Sequence, residues 1–88
     1  MHAVVVKVTI NDLEPADRNL REQVVPGVSQ APGFVAGYWT RKDNDGLGMI
    51  LFESEDAATQ ASEQIPSTVP AEYVTLDGVE VREVVVHA

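Results

Sequence analysis

The tetrapeptide Asp43-Asn44-Asp45-Gly46, midway along a chain of 88 residues, constrains the fold more than any other stretch. Asn, Asp and Gly tolerate the positive φ angles that a tight turn between antiparallel strands demands. On either side lie Phe34 to Lys42 (FVAGYWTRK) and Leu47 to Glu53 (LGMILFE), rich in the aromatic and branched side chains that suit a pleated sheet. The middle of the chain is therefore read as a β-hairpin.

Outward from the hairpin the pattern is the same on both sides: a helix, then a strand. Ala3 to Ile10 reads AVVVKVTI, with Val4, Val6, Val8 and Ile10 on one apolar face and Ala3, Val5, Lys7 and Thr9 on a mixed one. From Asp12 to Ala31, Leu13, Ala16, Leu20, Val24, Val28 and Ala31 recur at steps of three or four, the stripe of an amphipathic helix. Asn11 or Asp12 can cap its start, and Pro26-Gly27 inside the stripe predicts a kink, because proline has no N–H to give to the preceding turn. Pro32-Gly33 stops the helix. After the hairpin, Ser54-Glu55-Asp56 reads as an N-cap with acid in the first turn. The helix that follows carries Ala57, Ala58, Ala61 and Ile65 inward and is expected to end at Pro66. Ser67 to Asp77 is expected as a loop, and Val79 to His87 (VEVREVVVH) as the last strand.

The order β-α-β-β-α-β with no internal linker predicts one α+β domain over residues 1–88. It is a ferredoxin-like antiparallel sheet with two helices on one face. The other face would carry Val5, residues of the hairpin, and Val79, Val81 and Val85 or their neighbours. An apolar face of that size in so small a chain predicts a homodimer, two sheets packing face to face.

Composition closes several routes. There is no cysteine, so disulfides, thiolate metal sites and cysteine nucleophiles are excluded. Fourteen acidic against six basic residues give a net charge of −8, a field that repels phosphate backbones and argues against nucleic-acid binding. Apolar runs stop at three residues, so no membrane span is expected, and no basic stretch followed by an apolar run opens the sequence. A cytoplasmic protein is the expectation.

Three passages resemble the dimeric α/β-barrel superfamily, in particular its antibiotic-biosynthesis monooxygenase type: "APGFVAGYW" entering the second strand, "ILFESEDAA" leaving the third, and "GVEVREVVV" near the end. The resemblance implies two ferredoxin-like protomers forming one barrel, each able to enclose a small cavity between sheet and helices. It also implies oxidation of aromatic substrates without metal or flavin, so no cofactor is expected. The residues that such activity leans on are an Asn in the first strand, a Trp after the third and often a His on the second helix. They have no counterparts: no Asn precedes Asn11, the third strand lacks Trp, and Ser54 to Ile65 lacks His.

The candidate pocket residues are accordingly drawn from the chain itself. Tyr38 and Trp39 offer aromatic contact but, being adjacent on a strand, point to opposite faces. Lys7 on the mixed face is a candidate proton acceptor. Its structural alternative is a charge pair with Glu83, a register that sets Val5 opposite Val85. Arg41 is a candidate anion anchor. His2 and His87 approach each other if the end strands pair, but no third ligand has suitable spacing, so no metal site is expected. No Gly-rich phosphate loop or nucleophile motif occurs. The expected function is binding of a small apolar or aromatic molecule, with cofactor-free oxidation as its extension. The alternative is a non-catalytic dimerisation module whose barrel is filled by side chains.

Overall fold

The computed structural model describes residues 1–88. Strand β1 (His2–Ile10) leads to a helical arm of three joined pieces: α1 (Leu13–Asn19), a π-helical turn (Leu20–Val24) and α2 (Val25–Ser29). The hairpin β2 (Phe34–Lys42) and β3 (Asp45–Phe52) follows, then α3 (Glu55–Thr68) and β4 (Val74–Glu83). The strands form one antiparallel sheet in the order β2-β3-β1-β4. This is the ferredoxin-like α+β arrangement that the element order predicts, and no helix is long and apolar enough to cross a membrane.

The hairpin turns on Asp43 and Asn44, with Asp43 at φ 54° and Lys42 paired with Asp45. Asn44 also ties the turn to the centre of the sheet. Its carbonyl accepts from the Ile10 amide at 2.7 Å, and its side-chain amide donates to the Ile10 carbonyl at 2.8 Å. The irregularity expected at Pro26 takes the form of the π turn just before it. The Val25 amide reaches back five residues to the Leu20 carbonyl, and the helix then continues through proline.

The core lies between the sheet and the helices. Val4, Ile50, Phe52, Ala58 and Ile65 are buried, and Phe34 meets Phe52 edge-on with ring centroids 6.3 Å apart. Removing Val4 or Phe52 from water contributes on the order of 2 kcal/mol each. Ser54 caps α3 as expected, its hydroxyl accepting from the Ala57 amide at 3.2 Å.

Several boundaries differ from the sequence reading. Helix α3 does not stop at Pro66 but runs to Thr68. Pro66 comes so near the helix end that few further turns depend on it. The Ser67 and Thr68 hydroxyls donate to the Gln64 and Ile65 carbonyls and add bonds to this last turn. Strand β4 begins at Val74 rather than Val79, because β1 is nine residues long and is paired along its whole length. Asp77, expected as the last residue of the loop, forms with Gly78 a bulge within the strand, where pairing slips between Lys7 and Val8 and the Asp77 carboxylate accepts from the Thr9 hydroxyl at 2.7 Å.

The strand ends at Glu83, not His87, since β1 has no residue left to pair. After the Val84 amide bonds to the Met1 carbonyl, Val85 and Val86 run out exposed. The register also overturns the proposed pairings. Glu83 lies opposite His2, Lys7 opposite Gly78, and Val5 opposite Glu80. Val79 and Val81 lie opposite Val6 and Val4, on the helix-covered face rather than the open one.

Gly33, at φ 79°, makes the passage from α2 to β2. A Cβ there would meet the Ala57 Cβ at 2.8 Å, so both backbone and packing require glycine. Gly33→Ala is expected to destabilise the fold by about 2 kcal/mol or more, read from the midpoint of urea unfolding. An unchanged midpoint would mean that the turn relaxes freely.

Candidate functional site

A cavity of about 500 Å³, partly open to solvent, lies between the sheet and the first helical arm. That is within the range of small-molecule sites. It exists because of what β3 leaves out. Ile50 and Phe52 fill the helix-covered face at one end of that strand, but the same face carries only Gly46 and Gly48 at the other. A Cβ on Gly46 would come 2.6 Å from a Val8 methyl carbon, so no side chain fits there.

Trp39 lies across this bare stretch. It pairs with Gly48 on the neighbouring strand, and its indole covers Gly37 on its own strand. An added Cβ would sit 2.6 Å from the ring at Gly37 and 3.2 Å from it at Gly48. The two glycines hold the ring flat against the sheet, so that it forms a wall of the cavity rather than a plug. Val6, Val8 and Ile10 of β1 continue the floor, and Ala16, Leu20, Val24 and Val28 of the helical arm form the roof. Ile65, Thr68, Val69 and Pro70, from the end of α3 and the loop after it, close one side.

Charge enters the lining only from the helical arm and β2. The Arg41 guanidinium donates from Nη1 to both Asp17 carboxylate oxygens, at 2.8 and 2.9 Å, tying β2 to α1. Asn19 and Arg21 also line the cavity. The interior is apolar and the polar groups are few, the arrangement that lets a pocket take an apolar body and fix its orientation.

Of the four residues singled out in the sequence, the fold brings two together here. Trp39 and Arg41 line the cavity. Lys7 and Tyr38 lie on the opposite, open face of the sheet; Lys7 is exposed, and Tyr38 is 62% exposed. His2 and His87 do not meet. His2 Nε2 lies 3.4 Å from the Glu55 carboxylate, and His87 belongs to the exposed tail. No group of three or more His, Asp or Glu side chains is placed to hold a metal ion.

Sequence reasoning missed Asp17 and Arg21, which fall outside the apolar stripe of the helix. It also missed Gly37 and Gly48, whose role shows only when the hairpin register sets Gly48 against Trp39. The available signal was two glycines at alternate positions of a strand beside a strand bearing the one tryptophan.

The glycine floor makes a direct prediction. Gly37→Ala should drive the Trp39 ring from its place, costing about 1–3 kcal/mol in unfolding free energy and shifting the emission of this single tryptophan. Unaltered emission and stability would show that the ring does not depend on the floor.

No protein-family model matches this chain, and no curated protein matches it by sequence. Among solved structures it is similar to SnoaB, a cofactor-independent oxygenase from Streptomyces nogalater. The superposition has a TM-score of 0.73 over 94% of this chain and 91% of that one, at 18% sequence identity. The chain thus shares its ferredoxin-like α+β fold with that oxygenase.

Proposed function

We propose that this protein binds a small apolar or aromatic molecule between its sheet and first helical arm, as a homodimer formed through the open sheet face. The observation that carries the binding reading is the cavity itself, lined mainly by apolar side chains, with Trp39 held flat as one wall. An aromatic ring stacked on the indole gains both burial and ring–ring contact, about 0.5–1.5 kcal/mol beyond area alone. The rival reading, a dimerisation module filled by its own side chains, accounts for the open face but leaves the cavity without a purpose.

The fold likeness to a cofactor-independent oxygenase supports a further step, oxidation of the bound molecule without a resident cofactor. Trp39 and Arg41 are the proposed contacts within the cavity. Lys7 and Tyr38 can take part only in the dimer barrel, since the sheet separates them from the cavity. Val24→Phe tests the binding reading. Projecting a ring from the roof, it should weaken an aromatic probe such as anthracene methanol at least about tenfold with little loss of stability, followed by quenching of Trp39 emission. Equal affinity in the variant would place binding elsewhere.

The dimer proposal rests on Tyr38, Leu47 and Met49, all exposed on the open face around the buried Val5. At micromolar concentration, sedimentation should give twice the 9.5 kDa chain mass. Met49→Asp should return it to a monomer, because a carboxylate would then be desolvated at the interface. A wild-type monomer would refute the proposal.

A further inference from the structure

Resting on the reading that the cavity holds a small apolar molecule, we infer that this molecule carries one anionic group, a carboxylate or an ionised phenol, received by Arg21. The charged residues of the lining are Asp17, Arg21 and Arg41. They sum to +1, whereas the whole chain carries −8. The concave site is thus a positive spot on an acidic protein.

That positive charge belongs to one residue. The chain has four arginines, and three of them hold a carboxylate: Arg18 with Glu14, Arg41 with Asp17, and Arg82 with Glu80. Arg21 has neither an ion pair nor a side-chain hydrogen bond. Asp17, one helical turn before it, is held on both oxygens by Arg41. Arg41 is therefore neutralised, and the anion-anchoring role falls to Arg21. A guanidinium presents several donors in a fixed fork that suits a carboxylate, and charge-assisted hydrogen bonds are the stronger kind.

The surroundings restrict the route by which an anion arrives. On its solvent side Arg21 borders a groove shared with Glu14, Asp17, Arg18 and Glu22, in which carboxylates outnumber the other cation. A free inorganic anion meets net repulsion there. An anion attached to an apolar body reaches the guanidinium from the cavity side, drawn by burial of that body rather than by charge alone.

The test compares two ring-matched probes, 9-anthracenecarboxylate and 9-anthracenemethanol, titrated against Trp39 emission at low salt. Wild-type protein should bind the carboxylate about five-fold tighter than the alcohol, the size expected of a partly exposed charge contact. Arg21→Gln should remove that preference, weakening the carboxylate about five-fold more than the alcohol, and Arg21→Lys should retain part of it. Raising the salt to about 0.5 M should shrink the wild-type preference. Equal binding of the two probes by wild type, or an Arg21→Gln variant that keeps the preference, would overturn the inference. If the alcohol binds and the carboxylate does not, the anion assignment fails while the cavity reading stands. If neither probe affects Trp39, the cavity reading fails and the inference with it.

Discussion

One steric exclusion governs this molecule: on the helix-covered face of β3 no side chain fits at position 46, and one at position 48 would press on the Trp39 ring. Val8 occupies the space above Gly46, and the Trp39 indole occupies the space above Gly48. At the other end of the same strand Ile50 and Phe52 are fully or almost fully buried and join Val4, Ala58 and Ile65 in a tight cluster. The strand thus divides the layer between sheet and helices into a packed end and an empty end. A chain of this size has little core to spare. It concentrates its packing around Phe52 and leaves the rest of the layer as a cavity instead of spreading both thinly.

The alternation of side chains along a strand then sorts the candidate residues without reference to their chemistry. Trp39 and Arg41 share one face of β2 and Tyr38 the other, so two neighbouring aromatic groups serve separate spaces. Lys7 falls with Tyr38 because β1 and β2 are both antiparallel to β3 and in a fixed register with it. The open face combines the exposed Tyr38, Leu47 and Met49 with Lys7 and the Glu80–Arg82 ion pair, an apolar patch bordered by charge. That composition suits a surface that meets another surface, and the enclosed face suits one that meets a small molecule.

The element order was legible from the sequence because period-two and helical patterns alternate cleanly and DNDG punctuates their centre. Registers were less legible, and β4 shows why. Its alternation breaks at Asp77-Gly78, where a bulge inserts a residue, and the three strand residues before the break, Val74, Thr75 and Leu76, look like loop when taken alone. Val85 and Val86 have as high a strand propensity as the valines of β1, yet they have no neighbour to pair with. Propensity is a property of the residue, whereas pairing needs a partner strand of matching length. The site was half legible for the same reason. An aromatic residue announces itself, but the glycines beneath it and the Asp17 that holds Arg41 acquire meaning only once strand and helix are side by side.

The helical arm shows how a local fault can serve the cavity. Its inward residues Ala16, Leu20, Val24 and Val28 are spaced four apart. Four residues overshoot one α-helical turn of 3.6 by about 40°, so three such steps in a regular helix would swing the stripe about 120° away from its starting face. The π turn over Leu20–Val24 winds more widely, with each bond reaching one residue further back, and removes part of that drift in the middle of the run. Pro26, which supplies no amide to the turn before it, makes an irregularity cheap at this point. The sequence has placed its four-residue spacing across the same stretch. The stripe and the fault are therefore one feature: without the wide turn, Val28 would leave the roof of the cavity that Ala16 begins.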